Sequence, residues 1–418
     1  MRRICILVYL LFLLVISSCS SSSGGGTPVT GNKWTMMIYL DGDNSLSYWS
    51  NVDLKEMQAV GSTENITVIV QQDTYGGTTK RYKVEKGSLT LLEDMGELDM
   101  SDPTTLRNFV SSSVNAYPAD HYALILWDHG EGWKGASQTM VAKSMFNDYD
   151  NGKFTTYMSN YDLAAALTNA QSDTEIKLDI IGIDACEMDL IEAAYEFRNV
   201  ADIFVASQEL VALEGWDYTD LLTRLVNNPG MTPVALSKAM VESFKNYYTN
   251  SSYTDQTLAA LALNKKYSSD GVSDIVTLAQ SVNDLALRLT ADMADSGTRA
   301  ATLALLTNSR AAVQEFDLIY VDLVDFSRRL DGNNSPVEQE FNKILLNEYH
   351  GTLWPNAHGL SILFFDRSSP DDTSLYDPDY RNFNPDTGTG SHLAFINEFN
   401  WDEMMHTYFS LQYPDLPN

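Results

Sequence analysis

Cysteine is scarce in this chain, with three among 418 residues. Cys5 and Cys19 both fall in an opening segment that reads as an export address, so Cys186 stands alone in the remaining body. A lone thiol closes no loop in its own chain, which excludes a disulfide framework. A thiolate-built zinc site would need companions too. What is left is a buried inert thiol or a reactive one. Positive charge is also short: 27 Lys and Arg against 56 Asp and Glu give a formal charge of −29. Such a surface repels phosphate and excludes nucleic acid as a partner, whereas it attracts basic peptides. After the opening segment no apolar run reaches the about 20 residues of a spanning helix. No period marks a repeat array. The chain is not short of core material: 44% hydrophobic and 11% aromatic residues argue for a folded body and against disorder.

The first residues combine a positive start, Arg2 and Arg3, with a short apolar run from Ile4 to Ile16, the pattern of a secretory signal. The run ends in Ile16-Ser17-Ser18-Cys19, which resembles the bacterial lipobox, where the cysteine sulfur receives a diacylglycerol and the peptide is cut before it. Ser20 to Gly26 then forms a Ser/Gly tract, flexible by composition. The expectation is a signal peptide over 1–18, lipidation at Cys19 and a tether over 19–32. That puts the protein in a bacterial cell envelope, periplasmic or on the cell surface, and held to the membrane by lipid.

From Trp34 apolar strands alternate with amphipathic helices. Strands are expected at Thr35–Leu40, Ile66–Gln71, Thr79–Val84, Tyr122–Trp127, Leu178–Ile183 and Ile203–Ala206. Helices are expected at Ser50–Ala59, Pro103–Asn115, Tyr161–Gln171 and Met188–Arg198. This alternation predicts an α/β fold with a mostly parallel sheet covered on both faces. Beyond about residue 255 long helices dominate, with strands at Leu258–Leu263 and Ser361–Phe365. The division expected is a core over 33–255 and a largely helical, mixed region over 256–418 packed on it.

Functional groups of parallel sheets gather where strands end at the carboxyl edge. One strand runs through Leu126-Trp127 into Asp128-His129-Gly130, and another through Gly182-Ile183 into Asp184-Ala185-Cys186. If these strands are neighbours, imidazole and thiol share one edge. A nearby histidine raises the thiolate fraction and later protonates the leaving amine. Gly130 places no side chain beside the reacting carbonyl. Its N–H and that of Cys186, expected at a helix start, would form an oxyanion hole. The other histidines are placed less well. His121 begins its strand, His350 is expected near a helix end, His358 precedes its strand, and His392 and His406 lie in the tail.

The pairing of strand-His-Gly with strand-Asp-Ala-Cys resembles the clan of caspases, legumains, gingipains and clostripain. Trp34 to Asn44 (WTMMIYLDGDN), Leu126 to Gly130, Ile183 to Met188, Gly215-Trp216-Asp217-Tyr218 and Ala357 to Ser361 are similar to segments of the clostripain family. The resemblance spans about residue 33 to about 365 and implies a caspase-like three-layer sandwich. It also implies a cysteine endopeptidase cutting after Arg or Lys, with His129 and Cys186 catalytic. Peptides or proteins with basic residues would be its substrates. Asp184 corresponds to the acid at the floor of the pocket for the basic side chain, a role that suits a partly desolvated carboxylate. The competing reading makes Asp184 the cap of the following helix. Glu209 and Glu214 are candidates for a second acid.

The resemblance further implies cleavage between His129 and Cys186, with Lys143 preferred over Lys134 and Lys153. Of cofactors it admits only calcium, for which Asp148-Tyr149-Asp150-Asn151-Gly152 lacks full EF-hand spacing. A solvated turn is the expectation there, with no metal site. Two alternatives stand beside the peptidase: a catalytically silent lipoprotein that binds peptides or glycans, and an esterase or amidase with the same dyad.

Overall fold

A computed structural model of the chain describes residues 31–133, 145–146, 148–150, 153–154, 157–316, 319–365, 380 and 391–414. Cys19 and Lys143, with the expected signal peptide and most of the tether, lie outside them.

A nine-stranded sheet forms the centre. Its strands, in chain order, are β1 (Trp34–Gly42), β2 (Ile66–Thr74), β3 (Lys80–Glu85), β4 (Ser88–Asp94), β5 (His121–Trp127), β6 (Leu178–Asp184), β7 (Ala201–Ala206), β8 (Thr257–Ala262) and β9 (Leu345–His350). The spatial order is β9-β8-β7-β6-β5-β1-β2-β3-β4. The five central strands, β7 to β2, pair in parallel. β3, β4, β8 and β9 flank them in antiparallel pairs.

Strand periodicity builds the layers, because successive side chains point to opposite faces. Met36, Ile38, Val68, Val70, Ile125 and Ile180 face one helical layer, formed by Leu54 and Met57 of Ser47–Val60, Leu221 and Leu225 of Tyr218–Asn227, and Met240 and Phe244 of Pro233–Thr249. Met37, Tyr39, Ile69, Leu124 and Ile181 face the other layer. There they meet Leu106 and Phe109 of Pro103–Ala116 and Leu163 and Leu167 of Asn160–Thr174. The helices start where local chemistry dictates. Asp102 accepts from Thr104 N ahead of Pro103, and Ser159 accepts from Asp162 N, satisfying donors that no helical carbonyl can reach.

The chain beyond residue 256 supplies β8 and β9 to the same sheet. Its helices Ile275–Ala294 and Trp401–Gln412 share one apolar cluster with Pro103–Ala116. Ser361–Leu363 pairs with Tyr320–Asp322 in a small separate sheet.

Two expectations change in a way that matters for the site. The helix expected from Met188 begins only at Ile191, so Cys186 sits in a turn and not at a helix start. The cause is lateral bonding of the intervening chain: Glu187 N donates to Glu209 O, Asp189 N to Ser207 O, and Ser361 N to Asp189 O. Glu187 also has φ +58°, which breaks the helical path. His350 ends a strand rather than a helix.

Candidate active site

β5 and β6 are parallel neighbours with Trp127 opposite Asp184. Asp128-His129-Gly130 and Ala185-Cys186 therefore leave the sheet side by side at its carboxyl edge. Between them lies a cleft of about 390 Å³, lined by Leu46, by Trp127 to His129, by Asp184 to Cys186, and by Val211 to Leu213 with Gly215.

The turn after β1 holds the histidine side. Asn44 Nδ2 donates to Asp128 Oδ1 at 2.7 Å, and Leu46 N donates to Asn44 Oδ1 at 2.8 Å. Ser45 Oγ and His129 Nε2 are 2.9 Å apart and hydrogen-bonded. Gly130 passes so close to the backbone of Cys186 that a Cβ there would stand 2.3 Å from Cys186 O and 3.0 Å from Cys186 N. No other residue fits this approach, which lays the Gly130 backbone against that of Cys186.

The thiol of Cys186 accepts from Val211 N at 3.4 Å and donates to Val211 O at 3.9 Å. Burial pushes its pKa up to about 11; the Val211 amide opposes this, while Glu187, Asp184 and Glu209 add to it. Burial thus favours the neutral thiol over the thiolate. Alkylation of the free protein by iodoacetamide should accordingly accelerate about tenfold per pH unit up to about pH 10 without a plateau. A plateau below pH 8 would mean a preformed thiolate.

Asp184 is buried, with its Oδ2 accepting from Trp216 N at 3.1 Å and Tyr218 OH at 2.9 Å. The helix that follows starts seven residues later, so the capping reading falls. The carboxylate lies under Gly215, whose φ is +60° and where a Cβ would be 3.0 Å from Asp184 Oδ2. Glycine here both permits the turn and leaves the carboxylate reachable from the cleft.

With this geometry in view, comparison with known proteins decides the family: the clostripain family profile matches residues 38–406. The chain belongs to the clostripain family of cysteine peptidases. It is similar to clostripain of Hathewaya histolytica, 28% identical over 228 residues, which are 46% of this chain and 42% of that protein. The alignment thus spans less than half of the relative's length. In fold it is similar to a secreted C11 cysteine protease from Bacteroides thetaiotaomicron solved with an irreversible peptide inhibitor. That match has 18% identity, 83% of this chain, 97% of that one and a TM-score of 0.59. It is also similar to an inactive zymogen C11 protease from Parabacteroides distasonis, with 20% identity, 84% of this chain, 97% of that one and a TM-score of 0.61. The shared architecture is the caspase-like α/β sandwich expected from the sequence.

In this clostripain-family site Asp184 does not stand alone. Asp53 is buried beside it and accepts from Trp127 Nε1 at 2.7 Å, and Glu56 accepts from Tyr218 N at 3.1 Å. Burial first, then the Asp184 and Glu56 charges, push Asp53 up to about 9. Burial likewise raises Asp184 to about 7, against the lowering hydrogen bonds from Trp216 and Tyr218. Glu56 rises to about 7, by burial and then Asp217. Burial and mutual repulsion thus favour the protonated forms of these carboxyls, and a cation beside them would favour the ionised ones.

Sequence reasoning named Glu209 and Glu214 as candidates for a second acid and did not consider Asp53, the acid buried beside Asp184. Glu209 Oε1 accepts from Leu210 N and Glu214 Oε1 from Tyr253 OH. The signal for Asp53 was available: Ser50, Asp53, Leu54 and Met57 form the buried stripe of their helix, so an acid sits on an apolar face.

The other histidines are engaged elsewhere. His121 meets Asp179 at the opposite edge, His350 meets Glu348, His358 meets Asp322, and the ring of His392 packs on Tyr161. His406 lies on the helix Trp401–Gln412.

The solvated turn expected at Asp148 is also corrected. Asp148 is buried and accepts from Met100 N; Asn151 and Gly152 lie outside the described residues.

Proposed function

We propose that this chain is an endopeptidase cleaving after Arg or Lys, with Cys186 as nucleophile and His129 as its acid–base partner. The observation that carries this reading is the delivery of both residues by neighbouring parallel strands to one cleft above buried Asp184.

His129 takes the thiol proton as sulfur attacks the carbonyl carbon, and the new C–S bond leaves an oxyanion facing the N–H groups of Gly130 and Cys186. The C–N bond then breaks, and the amine leaves with the proton held by His129. Water adds to the thioester, giving its proton to His129. The C–S bond breaks, sulfur regains a proton, and the acid product departs. Asp184 receives the guanidinium or ammonium of the residue before the cut.

The same reading places residues 1–18 as a signal peptide, Cys19 as the lipid-bearing residue and 19–32 as the leash in a bacterial envelope. It includes maturation by a cut between His129 and Cys186, at Lys143 first. The polar, Lys-containing segment between the dyad residues and the zymogen state named for the Parabacteroides relative support that step.

A fluorogenic peptide panel varying only the residue before the cut tests the proposal. Arg and Lys peptides should be turned over about 100-fold more efficiently than a norleucine peptide. Equal turnover across the panel, or ester cleavage without amide cleavage, would replace it with another hydrolase.

A further inference from the structure

The most exposed aromatic side chains among the described residues are Tyr48 and Tyr75, at 69% and 61%. Neither serves the dyad or the Asp184 pocket. Apolar residues scattered singly over a surface carry no message, but these two are gathered and held. Tyr75 directly follows β2, at the second place of a tight turn. There Gly77 N donates to Thr74 O at 2.7 Å, and Gly76 takes φ +69°, the left-handed value that suits glycine at the third place. Tyr75 N donates to Gly42 O at 3.1 Å and to Ser47 Oγ at 3.2 Å. Tyr48 is the residue after Ser47, and its ring meets Trp49 edge to face at 5.2 Å. Trp49 in turn packs on the apolar cluster beneath. Two exposed aromatic residues thus flank one hydrogen bond on a braced backbone, which leaves little ordering for a ligand to impose.

Their position along the cleft follows from the residues before them. Ser45 bonds to His129, and Leu46 lines the cleft. Ser47 N donates to Asn44 O and Ser50 N to Leu46 O, so the chain is already coiled at Ser45. Tyr48 comes three positions later, a spacing that makes side chains neighbours about 5–6 Å apart on a coiled segment. In the mechanism above, Asp184 receives the side chain before the cut and His129 protonates the amine after it. The turn that touches His129 therefore belongs to the leaving side of the scissile bond.

We propose that Tyr48 and Tyr75, with Leu46 at the cleft edge, form a platform for the substrate chain after the cut. It takes an apolar or aromatic side chain one or two residues beyond the scissile bond, reached at about 3.3 Å per residue of extended peptide. The proposal rests on the peptidase reading and adds to it a preference on the leaving side. Two phenol rings and a leucine bind by area and ring contact, not by ion pairing. Substrates are thus read twice, by charge before the cut and by apolar area after it. The platform stands away from the reacting bond, so its contacts are equally present before and during the chemical step. Binding of that kind lowers KM and leaves kcat as it was.

Internally quenched peptides test this on the full chain. They are identical up to and including Arg and differ only in the first two residues after it. The wild type should cleave Phe or Leu peptides about tenfold more efficiently than Gly peptides, with the difference in KM. In Tyr48→Ser/Tyr75→Ser that ratio should fall to about 2 or less, because the area that discriminates is gone. Both positions are exposed, so the melting temperature should stay within about 2 °C, which separates a lost contact from a lost fold. A wild type indifferent to the residues after the cut would overturn the proposal, as would a preference that survives both substitutions. A fall in kcat on Gly and Phe peptides alike would make the tyrosines supports of the His129 turn instead. Binding of soluble glycans that the double substitution abolishes would reassign the platform to sugars. Absence of cleavage of every Arg and Lys peptide is a separate failure: it removes the peptidase reading, and the platform with it.

Discussion

Cys186→Ala is expected to lower peptide hydrolysis by about 10⁴-fold or more, because in the proposed mechanism its sulfur forms the covalent intermediate. Among the described residues Cys186 is the only cysteine, and its sulfur faces a cleft rather than a closed core. His129→Ala should cost nearly as much, since members of a catalytic unit lose their effect together. Stability should move by less than about 1 kcal/mol in the cysteine variant. The residue is only partly buried, and its sulfur's bonds to Val211, at 3.4 and 3.9 Å, are long. Melting curves and steady-state rates on the same preparation separate the two effects. Turnover near wild type in Cys186→Ala would end the nucleophile assignment, and a collapsed melting temperature would mark the thiol as a packing element.

Asp184→Asn should depress cleavage of Arg and Lys peptides by about 10- to 100-fold relative to a neutral peptide, the worth of a charge-assisted bond of about 1.5–3 kcal/mol. The geometry makes this substitution mild for the fold. The amide oxygen of the asparagine side chain would still accept from Trp216 N and Tyr218 OH, while the change removes one charge from the Asp53, Glu56 and Asp184 group.

The pH dependence carries a second signature. In the empty pocket the Asp184 carboxyl titrates at about 7, raised mainly by burial, so it holds a proton below that pH. A basic side chain binds the ionised form and expels the proton. Relative efficiency on Arg over neutral peptides should therefore climb through about pH 7 and level off above it; dividing by the neutral profile cancels the titration of His129. In the Asn variant the climb should be smaller, with only Asp53 and Glu56 left to titrate beside the pocket.

Stability runs the other way. A carboxyl whose folded pKa is raised helps the fold least once pH exceeds that value, so Asp184→Asn should melt relatively higher at pH 9 than at pH 5. Equal loss on basic and neutral peptides would leave Asp184 as an anchor for Trp216 and Tyr218 only.

Much of this was legible in one dimension. Short, continuous apolar runs marked the five central parallel strands, because a strand buried on both faces must be apolar throughout. The helices expected from Pro103 and from Tyr161 start within a residue of Pro103–Ala116 and Asn160–Thr174. The edge strands β4 and β9 escaped: β4 is mostly exposed and β9 only half-buried, so neither needs an apolar pattern.

What the sequence determined by itself was local chemistry: the alternation of elements, the placing of His129 and Cys186 at strand ends, and the isolation of Cys186 from other thiols. These follow from residue type and spacing of a few positions, which is the range over which backbone periodicity acts. The tertiary structure alone decided which strand ends meet. It seated Asp53 of one helix beside Asp184 of a strand, 131 positions later in the numbering. It laid Val211 against the thiol and replaced the expected helix start at Cys186 by a laterally bonded turn. It also drew Asp43, Glu97 and Asp148 together from segments roughly 50 residues apart. Such encounters depend on strand order and on packing between layers, where distant segments of chain become neighbours and no local spacing records the distance between them.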